Sequence, residues 1–238
     1  MRRVAGAGAA LLVALHLAVA AHAAGDKKKP AAEPAEKAAT SWYAQRITHG
    51  DTGIAVEHYW SKGRKLHAEL VVQGASIQTI VAGEFYTILD MTNQKGVRIR
   101  RSPAALELDE QKPNERPFGR DGEDLVAKGA EFVRSDNLAD RPCRVLRITD
   151  EVGKREVWVS DDKKKLPLRI DFWARASGMH TTTDYIDWIA DPVLSDAFFE
   201  PDPRIQLETI EYDDYVKRSG QGPVGPAPVL FSPLLHGK

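Results

Sequence analysis

The residues best able to hold a metal or move a proton give little support for chemistry in this chain. Seven histidines are present. His16 and His22 fall in an apolar N-terminal stretch, and none of the rest forms H-x-x-x-H or H-E-x-x-H. His58 and His67 could meet across paired strands, but no third ligand stands near them, so half-exposed sheet histidines are the plainer reading. The carboxylate pairs Asp161-Asp162, Asp184 with Asp187, and Asp213-Asp214 fall in turns, on strands or near the C-terminus. Glycosidase chemistry needs two carboxylates facing one cleft, and nothing here suggests a sugar platform. One cysteine, Cys143, makes neither an intrachain disulfide framework nor a Cys-based zinc cluster. It follows Arg141-Pro142 at a strand start and reads as a small buried hydrophobe. Gly220-Gln221-Gly222-Pro223-Val224-Gly225 fits G-x-G-x-x-G, but in a Pro-rich tail rather than between a strand and a helix. There is no G-x-S-x-G nucleophile elbow and no phosphate-binding P-loop. The expectation is no catalytic residue, no cofactor, no metal and no enzyme activity.

Composition narrows the class. The chain has 238 residues, 42% hydrophobic and 28% charged, enough to bury a core beneath a solvated surface. Lys and Arg number 33 against 34 Asp and Glu, a balance that argues against a nucleic-acid partner. The N-terminus reads as an export signal. Arg2 and Arg3 precede an apolar stretch from Ala9 to Ala20, and Ala21-His22-Ala23 has the small-x-small form of a cleavage site. That stretch is short for a membrane span of about 20 residues. Ala24 stands where a lipid-anchored protein would need cysteine, so the exported chain is expected to be periplasmic, soluble and not lipidated. Residues 1–23 are then the signal peptide. Residues 24–40, with Lys27, Lys28 and Lys29 among Ala, Pro and Glu, form a flexible leader.

The elements that would position any site are strands. Leu66, Ala68, Leu70 and Val72 alternate with His67, Glu69, Val71 and Gln73, a period of two. Ile54, Val56, His58 and Trp60 form a similar row, with Ser61 to Arg64 as the turn between. Glu84 to Met91 and the Val97–Ile99 region continue the pattern. Cys143–Thr149, Arg155–Ser160, Leu166–Arg175 and Thr181–Ile189 follow with short turns between them. In Leu166–Arg175, Leu166, Leu168, Ile170, Phe172 and Ala174 are expected on one face. Consecutive strands with short turns predict an antiparallel meander. Helices are few: Ser102-Pro103 opens one through Gln111, Asp121 caps a turn through Val126, and Ser195 caps Asp196–Phe199. Asp109 to Gly122 reads as a polar mobile loop. The region from Ser219, rich in Pro and Gly, carries an apolar patch of Val229, Leu230, Phe231, Leu234 and Leu235, free to dock back or stay mobile.

The positive feature is apolar strands with aromatic residues on both faces. Trp60, Trp158, Trp173 and Trp188 lie in them, and Trp42 precedes the first. A curved sheet apolar on its concave side is how β folds build a ligand cavity. A plain sandwich core is the alternative.

From Cys143 onward the chain resembles the LolA-like family of periplasmic lipoprotein carriers. Arg155-Glu156-Val157-Trp158-Val159-Ser160, the turn Asp161–Lys165, and Leu166-Pro167-Leu168-Arg169-Ile170-Asp171-Phe172 match its strand, D-rich turn and "lPlr" strand. Thr181 to Trp188 resembles its late strand, and Ser195 to Pro201 its short final helix. Phe85 to Asp90 and Ser102 to Leu106 match more loosely. The resemblance implies a mainly β domain over 41–218, followed by the tail at 219–238. Its fold would be a curved antiparallel sheet forming an incomplete, half-open β-barrel closed by a helical lid. It implies a carrier of lipid or lipoprotein acyl chains in outer-membrane lipoprotein sorting. The partner proteins would be an inner-membrane donor and an outer-membrane acceptor. Candidate cavity residues, one row from each strand, are Trp60, Leu70, Phe85, Leu89, Trp158, Ile170, Phe172 and Tyr185. The pattern leaves open which face is concave. Two other readings stay open: an envelope-stress sensor of the RseB type, and a structural envelope protein with a filled barrel.

Overall fold

The structure is a computed structural model that describes residues 40–237 except Thr52 and Gln73. The expected signal peptide and nearly all of the leader lie outside the described residues. Strands β1 (Ser41–Gly50), β2 (Gly53–Lys62), β3 (Lys65–Val72), β4 (Ala75–Ala82), β5 (Phe85–Asp90) and β6 (Lys95–Arg100) form a meander. Helices α1 (Pro103–Gln111) and α2 (Asp121–Ala127) follow. A second meander comprises β7 (Glu131–Leu138), β8 (Arg141–Thr149), β9 (Gly153–Ser160), β10 (Pro167–Ala174) and β11 (His180–Ala190). β12 (Gln206–Ile210), α3 (Tyr212–Ser219) and α4 (Pro233–His236) end the chain.

The strands make one twelve-stranded sheet in the order β12-β6-β5-β4-β3-β2-β1-β11-β10-β9-β8-β7. β1 and β11 join the two meanders, with Ala44 opposite Trp188. β12 pairs with β6 in parallel, the exception in an otherwise antiparallel sheet. The outer strands β12 and β7 do not pair with each other, so the barrel stays open. The sheet is strongly curled. Tyr59 on β2 stacks edge-on against Phe231 at 5.4 Å, and Tyr86 on β5 donates its hydroxyl hydrogen to the Leu230 carbonyl at 2.6 Å. Those strands are three apart, about 14 Å in a flat sheet, yet they touch adjacent residues of one segment.

Period-two patterning decides what lies inside. Ala44, Tyr59, Leu66, Ala68, Ile77, Val81, Tyr86, Ile88, Val97 and Ile99 make the inner core with Tyr215, Leu234 and Leu235 from the C-terminal segment. Burying such a set supplies most of the stability of the β1–β6 half. The outer face is apolar for a different reason. β11 ends beside β1, whereas β12 pairs six strands away with β6, so residues 191–205 must cross the sheet, and they do so on its outside. Phe198, in a short 3₁₀ helix at Asp196–Phe199, stacks on His67 at 4.4 Å and meets Trp60 at 5.5 Å. Ile205 packs on Ile80 and Leu89. Lys62 and Lys65 both grip Asp196, at 3.1 and 3.0 Å. The β1–β6 half is thus covered on both faces.

The structure departs from the sequence reading at several points. Trp42 lies within β1 rather than before the first strand. A bulge between Pro167 and Arg169 breaks the expected single row of β10. Leu168 packs outward with Cys143, Val145 and Trp158, while Ile170 faces inward. An extra residue turns every later side chain over, which no alternation pattern reveals. Ser102 does cap α1, accepting from the Ala105 amide at 3.1 Å. Asp121 does not cap α2. Arg120 stands at that position, and Asp121 is the first helical residue. The segment Asp109–Gly122 is anchored at both ends. Asp109 accepts from Arg64 at 2.6 Å and from Arg101 at 2.7 Å, and Phe118 is buried.

Candidate functional site

The β7–β10 half of the inner face is covered differently. Above it lies the short helix α2, with Leu125 packed on Val157 and Val159. Gly122 permits the close approach, since a Cβ there would lie 2.6 Å from a Val159 methyl. Gly119 enters the helix at φ +66°, beneath the Trp188 ring, where a Cβ would meet an indole carbon at 2.1 Å. Between α2 and β7–β9 a groove of about 600 Å³ remains, lined by Val126, Ala127, Ala130, Phe132, Leu146 and Val159. Phe132 is 49% exposed and Val126 59%, both large for free apolar surface. The rim carries Glu123, Arg144, Asp161, Asp162 and Lys165. Arg144 lies over the Phe132 ring at 4.8 Å. An apolar trough of this size with a charged rim suits an aliphatic ligand.

A smaller cavity of about 200 Å³ lies at the opposite side of α2, lined by Arg46, Arg64, Arg116, Arg120, Glu115, Asp121 and Tyr185 among others. Most of its arginines are paired: Arg46 with Glu57, Arg64 with Asp109, Arg120 with Glu115 and Glu123. The Arg116 guanidinium sits between the Trp42 and Trp188 rings at 4.8 and 4.9 Å and donates to the carbonyls of Phe118 and Gly119. Burial lowers its pKa. Burial likewise raises the Asp121 carboxyl, which accepts from the Tyr185 hydroxyl at 3.2 Å. These groups hold the Phe118–Asp121 connection against β1 and β11.

The eight sequence-derived cavity candidates divide by face. Leu70, Ile170, Phe172 and Tyr185 face inward, whereas Trp60, Phe85, Leu89 and Trp158 face outward. Leu70 and Tyr185 belong with the β1–β6 core. Ile170 packs against both the core and the Leu125 cluster beneath α2, and Phe172 lies under Arg155 at 5.3 Å. On the outside, Trp60 packs against Tyr43 and Phe198, and Phe85 lies under Arg98 at 3.8 Å. Leu89 is beneath Ile205, and the Trp158 indole donates to Asp136 at 3.0 Å. None of the eight lines the groove itself. Of the groove residues, Phe132 is hidden in the sequence because the β7 stretch Glu131-Phe132-Val133-Arg134-Ser135-Asp136 is mostly polar. The available signal was the row Leu146–Ile148 opposite Cys143 and Val145.

His58 and His67 do not stand opposite each other on the paired strands. Trp60, not His58, stands opposite His67, and His67 Nδ1 donates to the Phe198 carbonyl at 2.8 Å. Among the described residues no cluster of three His, Cys, Asp or Glu could hold a metal ion. Cys143 is buried beside Val145, Trp158 and Leu168, and burial raises its thiol pKa. Among the described residues no helix is long and apolar enough to cross a membrane.

The sheet and its inner helices define a class of fold, an open and largely antiparallel barrel. No family model and no curated protein matches the chain. Solved structures do. An uncharacterized conserved protein from Thermus thermophilus aligns with a TM-score of 0.51 at 11% identity, covering 72% of this chain and 91% of that one. The MucA/MucB complex of Pseudomonas aeruginosa aligns at 0.43 and 13% identity, covering 72% of this chain and 59% of the other. The lipoprotein LppX of Mycobacterium tuberculosis aligns at 0.38 and 13% identity, covering 67% and 91%. At 11% identity the likeness to the Thermus protein is one of fold alone.

Proposed function

We propose that the protein is a carrier that binds an acyl chain of a lipid or lipoprotein, with the groove between α2 and β7–β9 as its port of entry. The observation that carries the reading is half-exposed Phe132 and Val126 around a trough floored by Leu146 and Val159. Each methylene moved there from water contributes about 0.8 kcal/mol. The charged rim leaves a polar head in solvent, and both signs are present, so the rim does not select one. The contacts of α2 with the sheet are concentrated at Leu125 and Gly122, which suits a lid that lets cargo leave again. In this reading residues 1–23 are removed on export, 41–218 carry the binding domain, and donor and acceptor proteins at the two membranes exchange the cargo with it.

A second reading has one specific support. The C-terminal segment packs onto the inner core of the β1–β6 half, as a structural protein with a filled barrel would require. One experiment separates them. Leu146 is half-buried in the groove wall, so Leu146→Glu keeps its carboxylate at the solvent edge and the fold intact. Binding of N-phenyl-1-naphthylamine is expected to fall at least tenfold, with melting within a few degrees of wild type. Val193→Glu, on the fully exposed outer connection, should bind as wild type does. A wild-type protein that leaves the probe dark would support the filled barrel instead.

A further inference from the structure

After α3 the chain runs back across the inside of the sheet. Val224, Ala227, Val229, Leu230 and Phe231 lie on the inner core, half-buried, with their other side to solvent. They form an irregular strap rather than a strand. Among the described residues no backbone-to-backbone hydrogen bond joins 222–231 to the sheet. Its polar attachment to the sheet is at one residue. The Leu230 carbonyl accepts from the Tyr86 hydroxyl at 2.6 Å, and the Leu230 amide donates back to it at 2.7 Å. Phe231 next to it sits at φ +53°, a left-handed conformation that costs a bulky residue energy.

The end beyond the strap is held differently. Leu234 and Leu235 are fully buried. The Leu234 carbonyl accepts from Arg101 Nε at 2.5 Å, and the Leu235 carbonyl from the Ser102 amide at 3.0 Å. A loosely bonded apolar strap therefore lies between two fixed points, α3 and α4. What holds it is contact between aliphatic or aromatic side chains and an apolar sheet, the same interaction an acyl chain would make.

We propose that the strap Gly222–Phe231 is a displaceable occupant of the inner face, and that an acyl chain competes with it for the surface of β2–β6. The proposal rests on the acyl-chain reading above. The strap would keep this surface out of water while the carrier is empty, and the anchor at Leu234–Leu235 would return it when cargo leaves. Coupling of this kind makes binding weaker but release easier, because the ligand must first free its site.

Hydrogen exchange on the full-length protein, with palmitate as probe, tests the proposal. Saturating palmitate is expected to speed exchange of the 224–231 amides at least tenfold and to leave 234–236 and the strands unchanged. Val224→Asp and Phe231→Asp, which loosen the strap, are expected to bind palmitate at least fivefold more tightly than wild type. Val224 is the milder change; should Phe231→Asp fail to fold, it is read alone, and should both fail, wild-type exchange decides. Palmitate binding with unchanged strap protection would overturn the proposal and leave the groove reading standing. Binding by the loosened variants but not by wild type would support it. No binding by any of them would overturn both readings.

Discussion

Asp121 holds a carboxyl where burial disfavours its charge, between the Tyr185 hydroxyl and the first turn of α2. Its folded pKa lies above the unfolded value, so the stability it contributes is present when it carries a proton. That contribution is complete below the unfolded pKa and is lost as pH rises through the folded one. Asp121→Asn keeps an acceptor for Tyr185 and removes the charge. The variant is expected to melt roughly 2–4 °C higher than wild type at pH 7, about 1 kcal/mol for a domain of this size. The advantage should shrink at a second, more acidic pH, as the wild-type carboxyl takes up its proton. An equal gain at both pH values would show that packing, not charge, is responsible.

Helix α2 is the element on which the groove depends, and its seat on the sheet depends on a missing side chain. Glycine inside a helix costs about 1 kcal/mol relative to alanine, so Gly122→Ala would stabilise an isolated helix. Here the added methyl would meet a Val159 methyl at 2.6 Å. Valine has little freedom to turn away within a strand. The clash should outweigh the propensity gain, since overpacking costs typically about 1–3 kcal/mol. Denaturant titration is expected to give a net loss of about 1 kcal/mol, with the groove widened as α2 lifts. A gain in stability would mean that α2 already floats free of β9.

At the scale of the whole molecule, the open sheet is held curled by segments that cross it. Residues 191–205 cross outside, and the C-terminal segment crosses inside and ends in α4. Leu235 is 0% exposed in the core although it stands three residues from the end of the sequence. Leu235→Ala is expected to cost about 3 kcal/mol, as deletion of buried leucine atoms does elsewhere. For a domain of this length that is a fall in melting temperature of roughly 6–12 °C. A loss below about 0.5 kcal/mol would place the chain end among ordinary surface residues.

The strands at β2, β3, β5, β6, β8, β9, β10 and β11, the capped helix at Ser102-Pro103 and the antiparallel meander were legible in the sequence, because period-two patterning and caps are local signals. β7 was not, because its residues are mostly exposed and polar. Sequence alone also established that the strands are apolar on both faces. It did not reveal why. Trp60 and Leu89 look like cavity residues until the connection 191–205 is seen lying over them. Leu168 and Ile170 look like one row until the bulge at Pro167/Arg169 turns them apart. The tail looks free until Leu234 and Leu235 are found beneath α1. Each of these depends on contacts between residues tens of positions apart, and a pattern read along the chain carries no information about which segment will cover which face. The tertiary structure decided that, because one sheet face can be buried only once, and the winner is set by where the connections must run.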